Sequence, residues 1–358
     1  MALSVYLDNR HRISNRNLFT DIARVLWDDG PPENRRDAYG ALVDAFCLAP
    51  DIAQSDICVL PLVWNYYVDR RRIDLAMQAV EDAHRHGKPI VIFSGGDFTA
   101  NVPFANVIVF ERCAYRSRRG RRGNRIFAIP SFIGDYVEMY CGGELRVREK
   151  GELPVVGFCG QAAGTTFDFI RRGISNQWRQ VAYALHLRRW EPSPFEPTLF
   201  RKRVLDQLAA SDAVRTNFLL RRRYRAGYWA PKKDPYHPTR LEFVQNILDS
   251  DYTVCMRGGG NFSVRFYEVL SLGRIPVFVD TDCVLPYDDI LPYRQLCVWV
   301  DEDEVPRIAE KIVEFHQALS PREFVDLQRR CRAVWEEYLC RDGFYRHFHE
   351  HFPELQRC

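Results

Sequence analysis

"MRGGGNFSVRFYEVLSLGRIPVFVD", Met256 to Asp280, sets an arginine and three glycines directly ahead of a helical stretch and closes on an apolar strand. Successive glycines are tolerated where the backbone must bend sharply or where something approaches it closely. With "YTVC" before it, the segment reads as strand, tight turn, helix ending at Gly273, and strand "IPVFVD". That order aims free backbone N–H groups and the positive end of a helix dipole at one point, where an anion is stabilised. Asn261 or Ser263 is placed to cap the helix, and Arg265 and Glu268, three residues apart, share a face. A cation beside a diphosphate and a carboxylate beside ribose hydroxyls would divide the work of holding a nucleotide. The spacing is neither the GxGxxG dinucleotide fingerprint nor a P-loop, since no GK[ST] follows. Spacing alone fits equally a glycine turn closing a core βαβ unit, with Arg265 and Glu268 as a surface pair.

Outward from this stretch the alternation of strand and helix continues through both halves of the 358-residue chain, which predicts parallel α/β sheets. The second half offers the strands "LPVVGFCGQ", "TNFLL", "YTVCM", "IPVFVD" and "LCVWV", then an amphipathic helix carrying Val305, Ile308, Ile312, Phe315 and Leu319. The first half offers "SVYLDN", "DICVLPL", "KPIVIFSGG", "NVIVFERC" and "NRIFAIP", with helices near Leu18 to Trp27, Arg36 to Phe46 and Arg71 to His86. Between the halves, "CGGELRVREKGELP" is rich in charge and glycine and marks a boundary near Gly151. The expected division is 1–150, 151–334 and a C-terminal helix in 335–358. Two such units leave a cleft at the carboxyl ends of their strands, where open α/β sheets bind ligands.

Composition narrows the class. Hydrophobic residues make up 46% and charged residues 27%, as in a soluble globular protein, and a formal charge of +3 does not by itself argue for nucleic acid. Eleven cysteines include no CxxC pair and read as reduced, packed thiols. "MALSVYLDNRHR" has no apolar signal core, and no stretch approaches the ~20 apolar residues of a membrane span, so a cytoplasmic location is expected.

Charged motifs carry competing readings. "RSRRGRRGNR" gathers Arg116, Arg118, Arg119, Arg121 and Arg122 into one loop, which either contacts nucleic acid or an acidic surface or is simply solvated. "RRRYR", from Arg221 to Arg225, follows a strand and offers Arg221 and Arg222 as phosphate contacts. "DTD" at Asp280 to Asp282 and "DED" at Asp301 to Asp303 fit a DxD metal motif, the mark of a metal-dependent transferase. "HFHEH" alternates His347, His349 and His351 instead of spacing them i, i+4, so a mostly exposed terminal helix is expected.

"SDYTVCMRGGGNFSVRFYEVLSLGRIPVFVD", with "LPYDDIL" and "VWVDEDEV" after it, resembles the donor-binding half of exostosin-type glycosyltransferases. The shared elements are the arginine-glycine turn, the Ser-x-Arg-Phe-Tyr-Glu helix start, the Gly-x-Ile-Pro-Val-Phe strand and the Leu-Pro pair. "PVVGFCGQ" is similar to the segment that opens the family's donor domain, and Met256 stands where proline is usual. The resemblance implies a GT-B-like α/β fold, two Rossmann-like domains facing a cleft. It implies that 1–150 lies on the acceptor side and 151–334 binds the nucleotide-sugar donor, with the last helices, from about Pro321 and including 335–358, packing back on the first domain. It implies transfer of a sugar from a nucleotide-sugar, commonly a UDP-sugar, to a glycan or polysaccharide acceptor, with inversion and with no metal or other cofactor. Carried over by position, Arg257, Gly258, Gly259, Gly260, Asn261, Ser263, Arg265 and Glu268 would form the donor site, with Glu268 on the ribose.

Inverting transfer also needs a base to take the proton of the acceptor hydroxyl. Asp97, after "IVIF" and two glycines, is the first candidate, and Asp8, after "VYL", is the second. Either residue type in such a place is also a common turn or capping residue.

Overall fold

The computed structural model describes residues 2–98, 101–223, 227 and 234–352. Its first sheet contains β1 (Leu3–Tyr6), β2 (Phe46–Leu48), β3 (Ile57–Val59), β4 (Ile90–Ser94), β5 (Ile108–Glu111) and β6 (Arg125–Ala128). They lie in the order β2-β1-β3-β4-β5-β6, and every pairing is parallel. Strands β3, β4 and β5 are buried along their whole length, as a parallel sheet covered on both faces requires.

β2 stands where the sequence pattern suggested the end of a helix over Arg36 to Phe46. The helix Pro32–Tyr39 stops at Gly40, whose φ is +56° and whose missing Cβ leaves room for the Asp342 carboxylate. A short turn, Leu42–Ala45, follows, and Phe46 opens the strand. Three residues are too few to show alternation, so the strand carries no periodic signal.

The second sheet contains β7 (Val155–Gln161), β8 (Arg215–Arg221), β9 (Tyr252–Cys255), β10 (Ile275–Asp280) and β11 (Val298–Asp301), ordered β11-β10-β9-β7-β8 and parallel throughout. The α/β architecture of two Rossmann-like units is therefore present. The chain between them leaves the helix Tyr136–Cys141 through Gly142 and Gly143, both left-handed at φ 67° and 82°. It is then pinned to the second unit by Arg148 to Asp251 (2.7 Å), Arg274 to the Arg146 carbonyl (2.6 Å) and His316 to the Gly151 carbonyl (2.9 Å).

The C-terminal run returns to the first sheet. The helix Pro321–Val334 begins with a reciprocal cap between Ser320 and Glu323, and the chain continues into the helix Arg341–Arg346 and a turn at Phe348–His351. Phe348 packs on Phe93 and Phe110, His351 on Phe110 and Phe127, and Asp342 accepts the Ala41 N–H. The expectation of an exposed terminal helix is overturned: Phe348 and His351 are buried. Aromatic residues interleaved with the histidines drive that burial, which holds His351 neutral by lowering its pKa to about 3. Residues 353–358 lie outside the described residues.

Candidate active site at the seam between the two sheets

The carboxyl ends of both sheets converge where the loop after β5 meets the loops after β9 and β10. Tyr115 and Cys283 form an antiparallel bridge, the Arg116 N–H donates to the Asp282 carbonyl (3.0 Å), and Val284 donates to Ala114 (3.3 Å). The first part of the arginine-rich loop is therefore not a free basic patch, since three of its arginines are paired with carboxylates of the second unit. Arg116 bonds Asp280 (2.7 Å), Arg118 holds Glu191 through two bonds (2.6 and 2.5 Å), and Arg119 bonds Asp288 (2.6 Å). This corrects the reading of Arg116, Arg118 and Arg119 as contacts for an acidic surface, since they join the two units to each other. Arg121 and Arg122 stay exposed.

The same loop accounts for the "DTD" triplet. Asp280 is buried, paired with Arg116 and accepting the Cys283 N–H, while Asp282 takes the Ser117 hydroxyl and N–H from a left-handed backbone at φ 65°. Asp301 accepts the Trp299 indole N–H and forms a reciprocal cap with Glu304. Among the described residues no group of three or more His, Cys, Asp or Glu side chains is placed to hold a metal ion.

At the centre of the seam lies Arg257. Its guanidinium donates to Asn261 Oδ1 (3.1 Å) and the Tyr115 hydroxyl (3.0 Å), lies over the rings of Tyr115 and Phe195, and leaves Nε buried with no hydrogen-bond partner. It lines a cavity of about 390 Å³ with Tyr115, Phe195, Asp280, Thr281 and Asp301, within the range of small-molecule sites. A smaller adjoining hollow brings Arg257 together with Asp97, Cys113, Glu191, Gly259 and Gly260.

The three glycines now separate by use. A Cβ on Gly260 would lie 2.5 Å from Cys113 Sγ and 2.7 Å from the Asp97 carbonyl, so only glycine lets the two units approach there. Gly259 is exposed, with open space where its side chain would be. Gly258 donates its N–H to the Phe262 carbonyl (3.3 Å). The approaching object in the opening question is thus, at Gly260, the other half of the same chain.

Several residues singled out by spacing do other work. Asn261 does not cap the helix: it is fully buried, donating to the Ala114 and Asp282 carbonyls and accepting from Arg257 and Thr281. Ser263 takes the N-cap position of the helix Val264–Ser271 without a side-chain cap bond. Arg265 lies over the Phe158 ring and donates to the carbonyls of Cys159 (2.7 Å) and Val254 (3.3 Å), locking the ends of β7 and β9 together. It does not pair with Glu268, whose Oε1 accepts instead from Tyr136 (2.7 Å) and Arg240 (2.9 Å). Arg221 turns back to Glu242 (2.7 Å) and the Thr239 carbonyl, and Arg222 faces Asp168 at 3.5 Å. Tyr224 and Arg225 of that run lie outside the described residues.

The two base candidates differ sharply. Asp97 is exposed and lines the hollow, with its main-chain carbonyl against Gly260 of the glycine turn. Asp8 caps the turn Asn9–His11 and is bound by Arg10 (2.7 Å). Burial pushes its carboxyl up, but the Arg10 bonds outweigh that and hold it below the usual range. A third carboxylate escaped the sequence reading: Glu111, at the end of β5, is buried and pushed up to about 7 by that burial, with Arg118 and Glu191 as its charged neighbours. Only a strand register that sets it beside Ser94 reveals it.

Comparison with known proteins adds family evidence. Residues 191–315 match the Exostosin GT47 domain, which is less than half of the chain. A probable glucuronosyltransferase of Oryza sativa subsp. japonica is 35% identical over 72 residues, 20% of this chain and 16% of that protein. A probable beta-1,4-xylosyltransferase of Arabidopsis thaliana is 33% identical over 89 residues (23% and 21%). Exostosin-1 of Drosophila melanogaster is 25% identical over 99 residues (28% and 12%). The chain thus spans about a fifth or less of the length of these relatives. A solved glycosyltransferase from Rickettsia africae ESF-5 aligns over 92% of this chain and 88% of its own, at 9% identity and a TM-score of 0.38.

Proposed function

We propose that the protein is a glycosyltransferase of the exostosin GT47 type, a reading supported by the match of residues 191–315 to that domain. It moves a sugar from a nucleotide-sugar, a UDP-sugar, to a glycan or polysaccharide acceptor, with inversion and without a required metal ion. The observation that supports this most is Arg257: a buried cation between the glycine turn and a 390 Å³ cavity, at the point where the strand ends of both sheets meet.

In this reading the acceptor oxygen attacks the anomeric carbon, the carbon–oxygen bond to the diphosphate breaks, and the nucleoside diphosphate leaves. Charge grows on the departing phosphate, where Arg257 and the exposed amide edge at Gly259 face it. Asp97, on the opposite wall, takes the acceptor proton. The carboxylates of Asp280, Asp282 and Asp301 along the cavity would repel phosphate, so they suit hydroxyl groups of the sugars. The metal-dependent alternative is less well supported, because Asp280 and Asp282 already have Arg116 and Ser117 as partners.

The test is a thermal-shift screen with nucleoside diphosphates and nucleotide-sugars. A ligand at 100 times its Kd adds roughly 2.7 kcal/mol to the stability of the fold, read as a higher Tm. UDP or a UDP-sugar should give that shift equally in EDTA and in magnesium. No shift with any nucleotide sinks the proposal, and a shift only with magnesium removes its metal-free part.

Asp97→Asn keeps the shape and removes the basicity, so it should lower the transfer rate by ~100-fold while donor affinity stays nearly the same. Normal turnover of this variant would return Asp97 to a turn residue. Asp8, held by Arg10, would then be a weaker choice than Glu111.

A further inference from the structure

The helix Thr166–Ala184, which leaves the end of β7, is turned inside out. Its inward side is largely polar: Asn176 and Gln180 both donate to the Ser193 carbonyl, and Tyr183 meets Asn101 of the first unit. Its outward side is apolar. Phe167, Ile170, Ile174, Trp178, Val181 and Leu185 follow one another at steps of three and four, so they form one continuous stripe. Every one of them is exposed, from 48% at Val181 to 72% at Phe167, and Leu187 just beyond the helix is 77% exposed. A run of large apolar side chains open to solvent marks an interaction surface.

The charges beside the stripe decide what covers it. Between Thr166 and Trp190 the chain has five arginines and a single acidic residue, Asp168. Arg171 and Arg179 are exposed on the helix itself, and Arg188 is exposed after it. Asp168 is already matched by Arg222. Two copies meeting along this stripe would set arginine against arginine with no acids to offset them, which argues against self-association. An apolar face with Trp and Phe, edged by arginine, instead has the composition of a helix that lies in a lipid interface.

We propose that the helix Thr166–Ala184 seats the protein on the surface of a bilayer containing anionic phospholipid, its apolar stripe among the acyl chains and Arg171 and Arg179 at the headgroups. This surface is separate from the Arg116 loop, whose arginines join the two units. It also bears on the cleft. Arg189 donates to the Val68 and Asp69 carbonyls of the first unit, and Glu191 and Ser193, directly after, wall the hollow beside Arg257. The lipid-facing helix is thus continuous with the rim of the site and would bring that rim to the headgroup layer.

The experiment is flotation of the whole chain with phosphatidylcholine vesicles, with and without phosphatidylglycerol, followed in parallel by sedimentation velocity without lipid. The wild type should float with the phosphatidylglycerol vesicles and much less with phosphatidylcholine alone. Raising the salt to 1 M, where the Debye length is about 3 Å, should weaken binding without abolishing it. Ile174→Glu with Trp178→Glu should cut the bound fraction at least tenfold, and Arg171→Glu with Arg179→Glu should remove the preference for anionic lipid. Both variants alter exposed positions, so their Tm should match the wild type, and a nucleotide thermal shift retained by them separates this proposal from the donor site. Absence of flotation with either vesicle overturns it, as does flotation that survives Ile174→Glu with Trp178→Glu. Self-association abolished by that pair, with no vesicle binding, assigns the stripe to a second copy and overturns the proposal as well.

Discussion

Replacing Arg257 with alanine is expected to lower sugar transfer by roughly 1,000-fold, the loss seen when a preorganised donor to developing charge is removed. The guanidinium is already desolvated and aligned by Asn261 and Tyr115, so it needs no rearrangement when the diphosphate leaves. Its contacts with a phosphate would be charge-assisted, about twice as strong as neutral ones. Arg257→Lys should recover little, because a single ammonium cannot hold Asn261 and Tyr115 and also face a phosphate with a planar fork. Tyr115→Phe supplies the control: it removes one of the same hydrogen bonds and keeps the cation, at a cost of about 1 kcal/mol. Steady-state kcat/KM for the three variants checks this. Activity of Arg257→Ala within tenfold of the wild type would remove Arg257 from the reaction.

Glu268→Ala should have the largest effect on stability, about 2 to 3 kcal/mol. Removing one partner of a buried pair costs roughly 3 to 5 kcal/mol, and the figure is discounted here because the Arg240 side chain remains 28% exposed. The alanine strands the Arg240 guanidinium and takes the acceptor from the Tyr136 hydroxyl, a phenol that burial and the Glu268 charge keep protonated. Thermal unfolding should show a Tm lower by about 3 to 4 °C. Glu268→Gln, which still accepts from Tyr136, should recover part of the loss. An unchanged Tm for the alanine variant would mean that the triad does not hold the fold, and calorimetry well below both transitions would then isolate any part Glu268 plays in nucleotide affinity.

The strands of both sheets were legible because a parallel strand buried on both faces is a short unbroken apolar run, as in "IVIF" and "IPVFVD". β2 was not, because three residues show no period. The glycine turn was legible as a place of close approach, but spacing cannot say what approaches: the structure brings Cys113 and Asp97 to Gly260, 147 and 163 residues away in sequence. Pairing was the least legible feature. Arg265 and Glu268 share a helix, and yet Arg265 caps two strand ends while Glu268 bonds Tyr136 and Arg240. A charge run such as Arg116 to Arg122 looks solvated until the acids that meet it are known, and those lie about 70 to 170 residues further along. The inverted helix at Thr166–Ala184 has the same amphipathic pattern as a core-facing one; only its orientation sets it apart.

The aromatic residues from Phe344 to Phe348 complete the packing on a sheet whose strands all lie before Ile129. On the ribosome the first unit is therefore synthesised long before its last layer exists. The Ala41–Asp342 contact closes a separation of 301 residues. A sheet that waits this long with its apolar face uncovered folds slowly and is exposed to aggregation meanwhile. The second unit, translated in between, has its own five strands to pair, so the protein would reach its final form by docking a late segment onto an early sheet. Yield in a cell would then depend on how well that uncovered face is shielded during synthesis.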